Sequence, residues 1–232
     1  MERMFPQITK TWNPVKGCLH QCYYPRGCWA YQLAIGKLKG SDRYKDGFTP
    51  KLIEEELNRN LGKNQFIFVA DMGDLFGNWV PTEWITKVID AIKRADPSNR
   101  FLLLTKNPKR YHMFTHAFPP NVVLGATIET NRNLRSLGIT CAPDPIERYD
   151  WMRVLPWKSK AVAIEPIIDF DLEIFVKMVR DIDPEVVWVG YDNWHCGLPE
   201  PSLKKTLALM IELEKFTCVV KKTIREAMEN EV

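Results

Sequence analysis

FIFVADMGDLFGNWVPTEWITKVIDAIKRADPSNRFLLLTKN, residues 66–107, holds the pattern that decides the fold. It opens on a short, continuously apolar run (66–70) and closes on another (101–104), with a helix at 82–95 that opens PTEW between them. A strand that is apolar along its whole length is buried on both faces, and a helix joining two such strands makes a parallel βαβ unit. The rhythm continues with strands at 122–126 (VVLGA), 161–164 (AVAI), 186–189 (VVWV) and 217–220. Helices are expected near 109–114, at 172–180 and at 202–215, with a less regular segment reaching Leu155 and a final short helix from Thr223. Upstream, 7–12 reads as the first strand and 29–38 as a helix with Leu33, Ile35 and Leu38 on one side. Residues 40–47 form a polar, turn-rich connection. Leu52, Ile53, Leu57 and Leu61 are spaced as on a helix over 51–60. Six or seven units are fewer than the eight of a closed (β/α) barrel. The expected fold is α/β, a partial (β/α)6 TIM-like barrel of parallel strands with outer helices, formed by residues 1–232 as one domain. An open doubly wound sheet satisfies the same alternation.

In a parallel α/β fold the site forms at the C-terminal ends of the strands. Each apolar run here stops in polar groups. The run 66–70 leads into Asp71, Met72, Gly73 and Asp74, and 101–104 leads into Thr105, Lys106 and Asn107. VVLGA leads into Thr127, Glu129, Thr130 and Asn131, AVAI into Glu165, and VVWVG into Tyr191, Asp192, Asn193 and His195. One such ending is ordinary turn chemistry. Five at one rim describe a polar-mouthed cavity.

The first strand ends in TWNPVKGCLHQCYYPRGCWAYQLA (11–34), which carries Cys18, Cys22 and Cys28 among Gly17, Pro25 and Gly27. Glycine and proline at these places make a loop, and a loop can bring three thiolates to one point. A structural zinc site is normally closed by four ligands, whereas an iron–sulfur cluster on three cysteines keeps one iron open. Zinc stays in play, with His20 or Cys196 as the completing ligand. Cys196 also reads as a reactive thiol, and Glu165 as either a catalytic group or a buttress of the barrel floor. Cys141 and Cys218 are expected to be buried, and Trp12 and Trp194 to flank the mouth.

A three-cysteine loop after the first strand of a partial barrel resembles the radical S-adenosylmethionine (radical SAM) superfamily. The TWNP…GC start, DLFG (74–77) with Trp79, LLLTKNP (102–108) and A-x-E-P-I (163–167) look like a phage- and archaeal-type radical SAM-like family without an assigned reaction, distantly similar to the spore photoproduct lyase group. The similarity spans roughly 8–193. The superfamily's usual loop is C-x3-C-x2-C; here it is Cys18-x3-Cys22-x5-Cys28, as if three residues were inserted within 23–27. The resemblance implies a [4Fe–4S] cluster on the three cysteines and S-adenosylmethionine on the open iron. Reductive cleavage of that cofactor gives a 5′-deoxyadenosyl radical that takes hydrogen from a substrate, so an electron donor is needed. By strand order it implies Asp71 and Gly73 at the cofactor's amino group, Lys106 at its carboxylate, Thr127 and Glu129 at the ribose, and Asp192 and Asn193 near the adenine.

The net charge of +3 over 232 residues names no partner. No apolar run can span a bilayer, and 1–10 lacks a signal peptide's apolar core, so a cytoplasmic protein without a membrane partner is expected. Basic groups near the rim (Lys106, Lys109 and Arg110; Arg132 and Arg135; Lys158 and Lys160) and in the C-terminal part (Lys204, Lys205, Lys221, Lys222 and Arg225) admit a nucleic-acid-derived substrate. Solvated helix faces explain them equally well. The alternative function is a non-catalytic metal-binding protein, holding zinc or Fe–S, with a nucleic-acid or protein partner.

Overall fold

The computed structural model describes residues 5, 7–23 and 27–228. Strand β1 (Lys10–Trp12) leads into an antiparallel ribbon of β2 (Val15–Lys16) with β3 (Lys51–Leu52), and the cysteine loop and α1 (Trp29–Ile35) lie between the ribbon's two strands. Then come β4 (Phe66–Val69), α2 (Thr82–Arg94), β5 (Arg100–Thr105), β6 (Val122–Thr127), α3 (Pro145–Arg153), β7 (Lys160–Ile164), α4 (Leu172–Ile182), β8 (Val186–Val189), α5 (Leu203–Leu213) and β9 (Cys218–Lys221). Seven strands form one parallel sheet in the order β1-β4-β5-β6-β7-β8-β9. A doubly wound sheet reverses its strand order at a switch point, and this order runs one way throughout. The fold is therefore an α/β partial TIM-like barrel, with β9 as its seventh strand.

Alternation along the strands assigns the two faces. The outer face packs Ile67, Val69, Leu103, Leu124, Val162, Val187 and Val189 against the buried stripes of α2, α4 and α5. The inner face carries Phe68, Leu102, Val123, Ala161, Ala163 and Trp188, closed by Phe5 stacked on Trp188 at 4.3 Å between ring centres. This apolar layer fills the lower lumen. Continuing the same alternation past the strand ends points Lys106, Glu165, Gly190 and Lys222 to the inner side, above it.

Several local expectations change. Residues 51–60 are not an α-helix: Leu52 pairs with Val15 in the ribbon, and Glu54–Asn58 forms a 3-10 turn. The Glu56 carbonyl of that turn accepts the Trp12 indole N–H at 2.9 Å, so Trp12 is a core residue rather than part of the mouth. The segment before Leu155 holds α3, and residues 223–228 carry no helix. Cys141 and Cys218 are exposed, on a loop and at the outset of the edge strand β9. Lys160 opens β7 and is buried at the far end of the sheet from the rim, its ammonium on the Met152 carbonyl. Among the described residues, no helix is long and apolar enough to cross a membrane.

Candidate functional site

The cysteine loop is bolted to the end of β4. Gly17 donates its N–H to Met72 O at 2.8 Å and forms an isolated parallel bridge with Gly73. Both positions need glycine. Gly17 sits at φ +83°, where a Cβ would lie 2.5 Å from Phe48 O, and a Cβ on Gly73 would lie 2.9 Å from Gly17 O. Asn13 makes a second clamp, donating to Asp71 Oδ1 at 2.5 Å and accepting from Met72 N–H at 3.0 Å. Burial raises the Asp71 carboxyl in spite of the Asn13 bond.

From that anchor the three thiols enter one region. Cys22 and Cys28 pack with Tyr23, Cys196 and Ile168, while Cys18 and Cys28 pack against Ala34, Phe48 and Met72. Cys28 immediately precedes α1 and accepts from Gln32 N–H at 3.0 Å. The segment 139–142 covers the loop: Ile139 O accepts from Tyr23 N–H, His20 O from Cys141 N–H, and Thr140 Oγ1 lies 3.3 Å from Cys22 Sγ. Burial raises the Cys18 and Cys28 thiols, and the charge of Cys22 raises both further, as does Asp74 for Cys18. The three sulfurs thus sit in one another's field. Among the described residues, no three His, Cys, Asp or Glu side chains close around a single ion. A tetrahedral zinc site would bring thiolates to within about 3.8 Å of one another, given Zn–S bonds of about 2.3 Å. The cysteines of a polynuclear cluster bind different irons and span a wider set. Three sulfur donors, Cys22 buried and Cys18 and Cys28 partly so, fit such a cluster in kind.

Two buried networks support the loop. Asp74, beside Cys18, accepts from Thr105 Oγ1 (2.7 Å), Phe76 N–H (2.9 Å) and Lys106 N–H (2.9 Å), and lies 2.9 Å from His20 Nε2. Burial alone would raise the Asp74 carboxyl; His20 and the other donors hold it low. His20, engaged there and edge-on to Trp79, is a member of this network rather than a spare zinc ligand.

The second network centres on Glu129, which is fully buried. Its Oε1 accepts from the Lys106 ammonium and from Tyr23 OH (3.1 Å), and its Oε2 from Arg148 Nη1 at 2.6 Å. Burial pushes the Glu129 carboxyl up, but Arg148 and Lys106 bring it down to about 2. Lys106 also donates to Tyr23 OH at 2.8 Å, and the Cys22 and Glu129 charges keep it protonated against burial. Arg148 donates to Thr127 O and Pro143 O as well, while its Nη2 is buried without a hydrogen-bond partner. The sequence flagged Lys106, Thr127 and Glu129 but not Arg148 or Tyr23.

The remaining candidates lie around the other half of the mouth. Glu165 forms a short ion pair with Lys222. Asp192 caps Trp194 N–H and Cys196 N–H through its two carboxylate oxygens. Asn193 is exposed beside it. Cys196 turns inward, its Sγ 3.6 Å from Gly27 O. Most of the basic groups singled out from the sequence have protein partners. Arg132 pairs with Asp169 and Asp171, Lys205 with Asp169, Arg225 with Glu200, and Arg110 donates to the Gly77 and Val80 carbonyls.

Comparison with solved structures finds spore photoproduct lyase. A single-site cysteine mutant of that protein superposes with a TM-score of 0.60 at 12% identity, over 91% of this chain and 76% of the other. A double mutant with bound AdoMet and dinucleoside spore photoproduct gives a TM-score of 0.56 at 13% identity, over 89% of this chain but 61% of the other. At such identity the likeness is one of fold. No curated protein sequence matches. A family model does match, over residues 5–189, and the chain belongs to that family, described as a protein of unknown function (DUF5131).

Proposed function

We propose that this chain is a radical SAM-type enzyme, with Cys18, Cys22 and Cys28 holding a [4Fe–4S] cluster that binds S-adenosylmethionine. The observation that carries the reading is the gathering of three cysteines, Cys22 buried and Cys18 and Cys28 partly so, at the C-terminal rim of a partial barrel, next to the Lys106 ammonium. The likeness of fold to spore photoproduct lyase, crystallised with AdoMet, supports it. When bound, the cluster and S-adenosylmethionine supply reductive sulfonium cleavage and a hydrogen-abstracting radical; the hard chemistry belongs to the cofactor.

The chain's own residues hold and orient. Gly17 and Gly73 fix where the cysteine loop leaves the barrel. Asp71 and the Gly73 backbone would meet the cofactor's amino group, Lys106 its carboxylate, Thr127 its ribose, and Asp192 and Asn193 its adenine. Glu129, with both oxygens engaged inside the protein, acts by steadying Lys106 and Arg148. The substrate is unnamed by this reading, and an external electron donor in the cytoplasm is required.

The test is anaerobic reconstitution with iron and sulfide, reduction with dithionite, and chromatography for 5′-deoxyadenosine after adding S-adenosylmethionine. About four irons per chain and deoxyadenosine are expected, both lost in Cys22→Ala. Protein that takes up no iron and retains stoichiometric zinc refutes the reading.

A further inference from the structure

The polar layer above the lumen's apolar floor has two halves, and the cysteines account for only one. The other is Glu165 with Lys222. Glu165 follows β7, Lys222 follows β9, and the two meet across the end of β8. They can meet there because residue 190 is glycine: a Cβ at that position would lie 3.0 Å from Lys222 Cβ and 3.5 Å from Glu165 Oε1. The Lys222 ammonium stands over the Phe5 ring, 4.7 Å from its centre, so the pair rests on the apolar floor.

The pair has capacity to spare. Among the described residues, Lys222, with three N–H donors, gives one side-chain hydrogen bond, to Glu165 Oε2, and Glu165 Oε1 accepts none. Neither side chain is sealed; their exposures are 10% for Lys222 and 18% for Glu165. Burial raises the Glu165 carboxyl and lowers the Lys222 ammonium, so the site favours a partner that satisfies both without adding charge.

We infer that Glu165 and Lys222 form the substrate-recognition end of the lumen and take a neutral, planar lactam edge, an N–H next to a C=O, such as the uracil or guanine ring presents. Glu165 Oε1 accepts the N–H and Lys222 donates to the C=O. A ring whose N–H is replaced by N–CH3, as in N3-methyluridine, leaves the carboxylate unpaired, and unpaired buried groups are what such sites reject. The assignment of the cysteine half to a cofactor rests on the function proposed above, but recognition of the edge is measured without cofactor and stands or falls separately.

The experiment is saturation-transfer NMR and calorimetric titration of the purified full chain with uridine, guanosine and N3-methyluridine. Uridine and guanosine are expected to bind at least about tenfold more tightly than N3-methyluridine. Glu165→Ala should abolish that preference. Because either single change strands a partly buried charge, the double variant Glu165→Leu/Lys222→Met, which removes both charges at similar volume, is measured alongside with its thermal midpoint. It should fold and lose the preference. A short oligouridylate separates two sources of the edge: tighter binding than uridine assigns it to a polymer, equal binding to a free nucleoside. No uridine binding, equal uridine and N3-methyluridine affinity, or a folded double variant that keeps the preference overturns the inference.

Discussion

Replacing Glu129 by glutamine tests whether the buried acid holds the cysteine side of the lumen together. The carboxylate receives Lys106, Tyr23 and Arg148. Its pKa falls from 4.5 to about 2 in the folded chain. The difference between those two values makes the ionised group worth on the order of 3 kcal/mol at neutral pH. That agrees with the range of about 3–5 kcal/mol for breaking a buried ion pair by removing one partner. The sign follows from the folded pKa lying below the unfolded one. The contribution is complete above about pH 4.5 and drains away as pH falls toward 2. Glutamine does not titrate, so the gap in unfolding free energy between wild type and Glu129→Gln should be about 3 kcal/mol at pH 7. By linkage it should shrink by about 2 kcal/mol at pH 3. Urea titration followed by circular dichroism at the two pH values measures both numbers. The pair is shielded from solvent, so the gap should change little between low and high salt. A gap under 1 kcal/mol at pH 7, or one that does not move with pH, would refute the reasoning. Adding Arg148→Met to Glu129→Gln should recover part of the loss, because it withdraws one of the stranded cations and the unpartnered Nη2 together.

Two further outcomes follow from the loop and the C-terminal segment. Gly17→Ala should cost about 3 kcal/mol and lower iron uptake on reconstitution, since it combines a positive φ with a backbone clash; Gly47→Ala, at φ +69° with open space around it, should cost about 1 kcal/mol and leave uptake unchanged. Equal effects in thermal melts and iron assays would show that the close approach at Gly17 does not matter. Arg225 holds the buried Glu200 carboxylate with both terminal nitrogens and the Asp192 carbonyl at 2.6 Å, so Arg225→Ala should cost about 2 kcal/mol and speed amide exchange over 222–228. Unchanged exchange there would mean the segment is held by Ile224 and Ala227 packing instead.

What the sequence revealed and what it hid divide along a physical line. Strand ends were legible because two rules fix them: a continuously apolar run is a strand buried on both faces, and parallel strands all end at one rim. Lys106, Thr127, Glu129, Glu165 and Asp192 were located by those rules alone. Contributions from helices and loops followed no such rule. Arg148 comes from α3, whose buried residues Pro145, Arg148 and Met152 draw no apolar stripe because one of them is charged. The sole local signal of that helix is Pro145 in the first turn after Asp144. The 51–60 segment misled in the opposite direction. Leu52, Leu57 and Leu61 carry helical spacing, but the pull of the β2 ribbon and of Trp12 on Glu56 overrides it. Partner choice was least legible of all: His20 finds Asp74 across 54 positions and Tyr23 finds Glu129 across 106.

The same line explains why the second half of the lumen could be argued at all. Glu165, Gly190 and Lys222 share no motif, and nothing within 57 positions of sequence connects the acid to the base. They meet because β7, β8 and β9 are adjacent and in register, with Ala163 opposite Trp188 and Trp188 opposite Val220. Two residues on from each of these comes Glu165, Gly190 and Lys222, and a period of two keeps all three on the inner face. A side chain at 190 would have filled the space between the charges. The alternation that buries the apolar floor therefore also sets, one layer above it, a partly exposed acceptor and donor over a glycine, at the same end of the sheet as the cysteine loop.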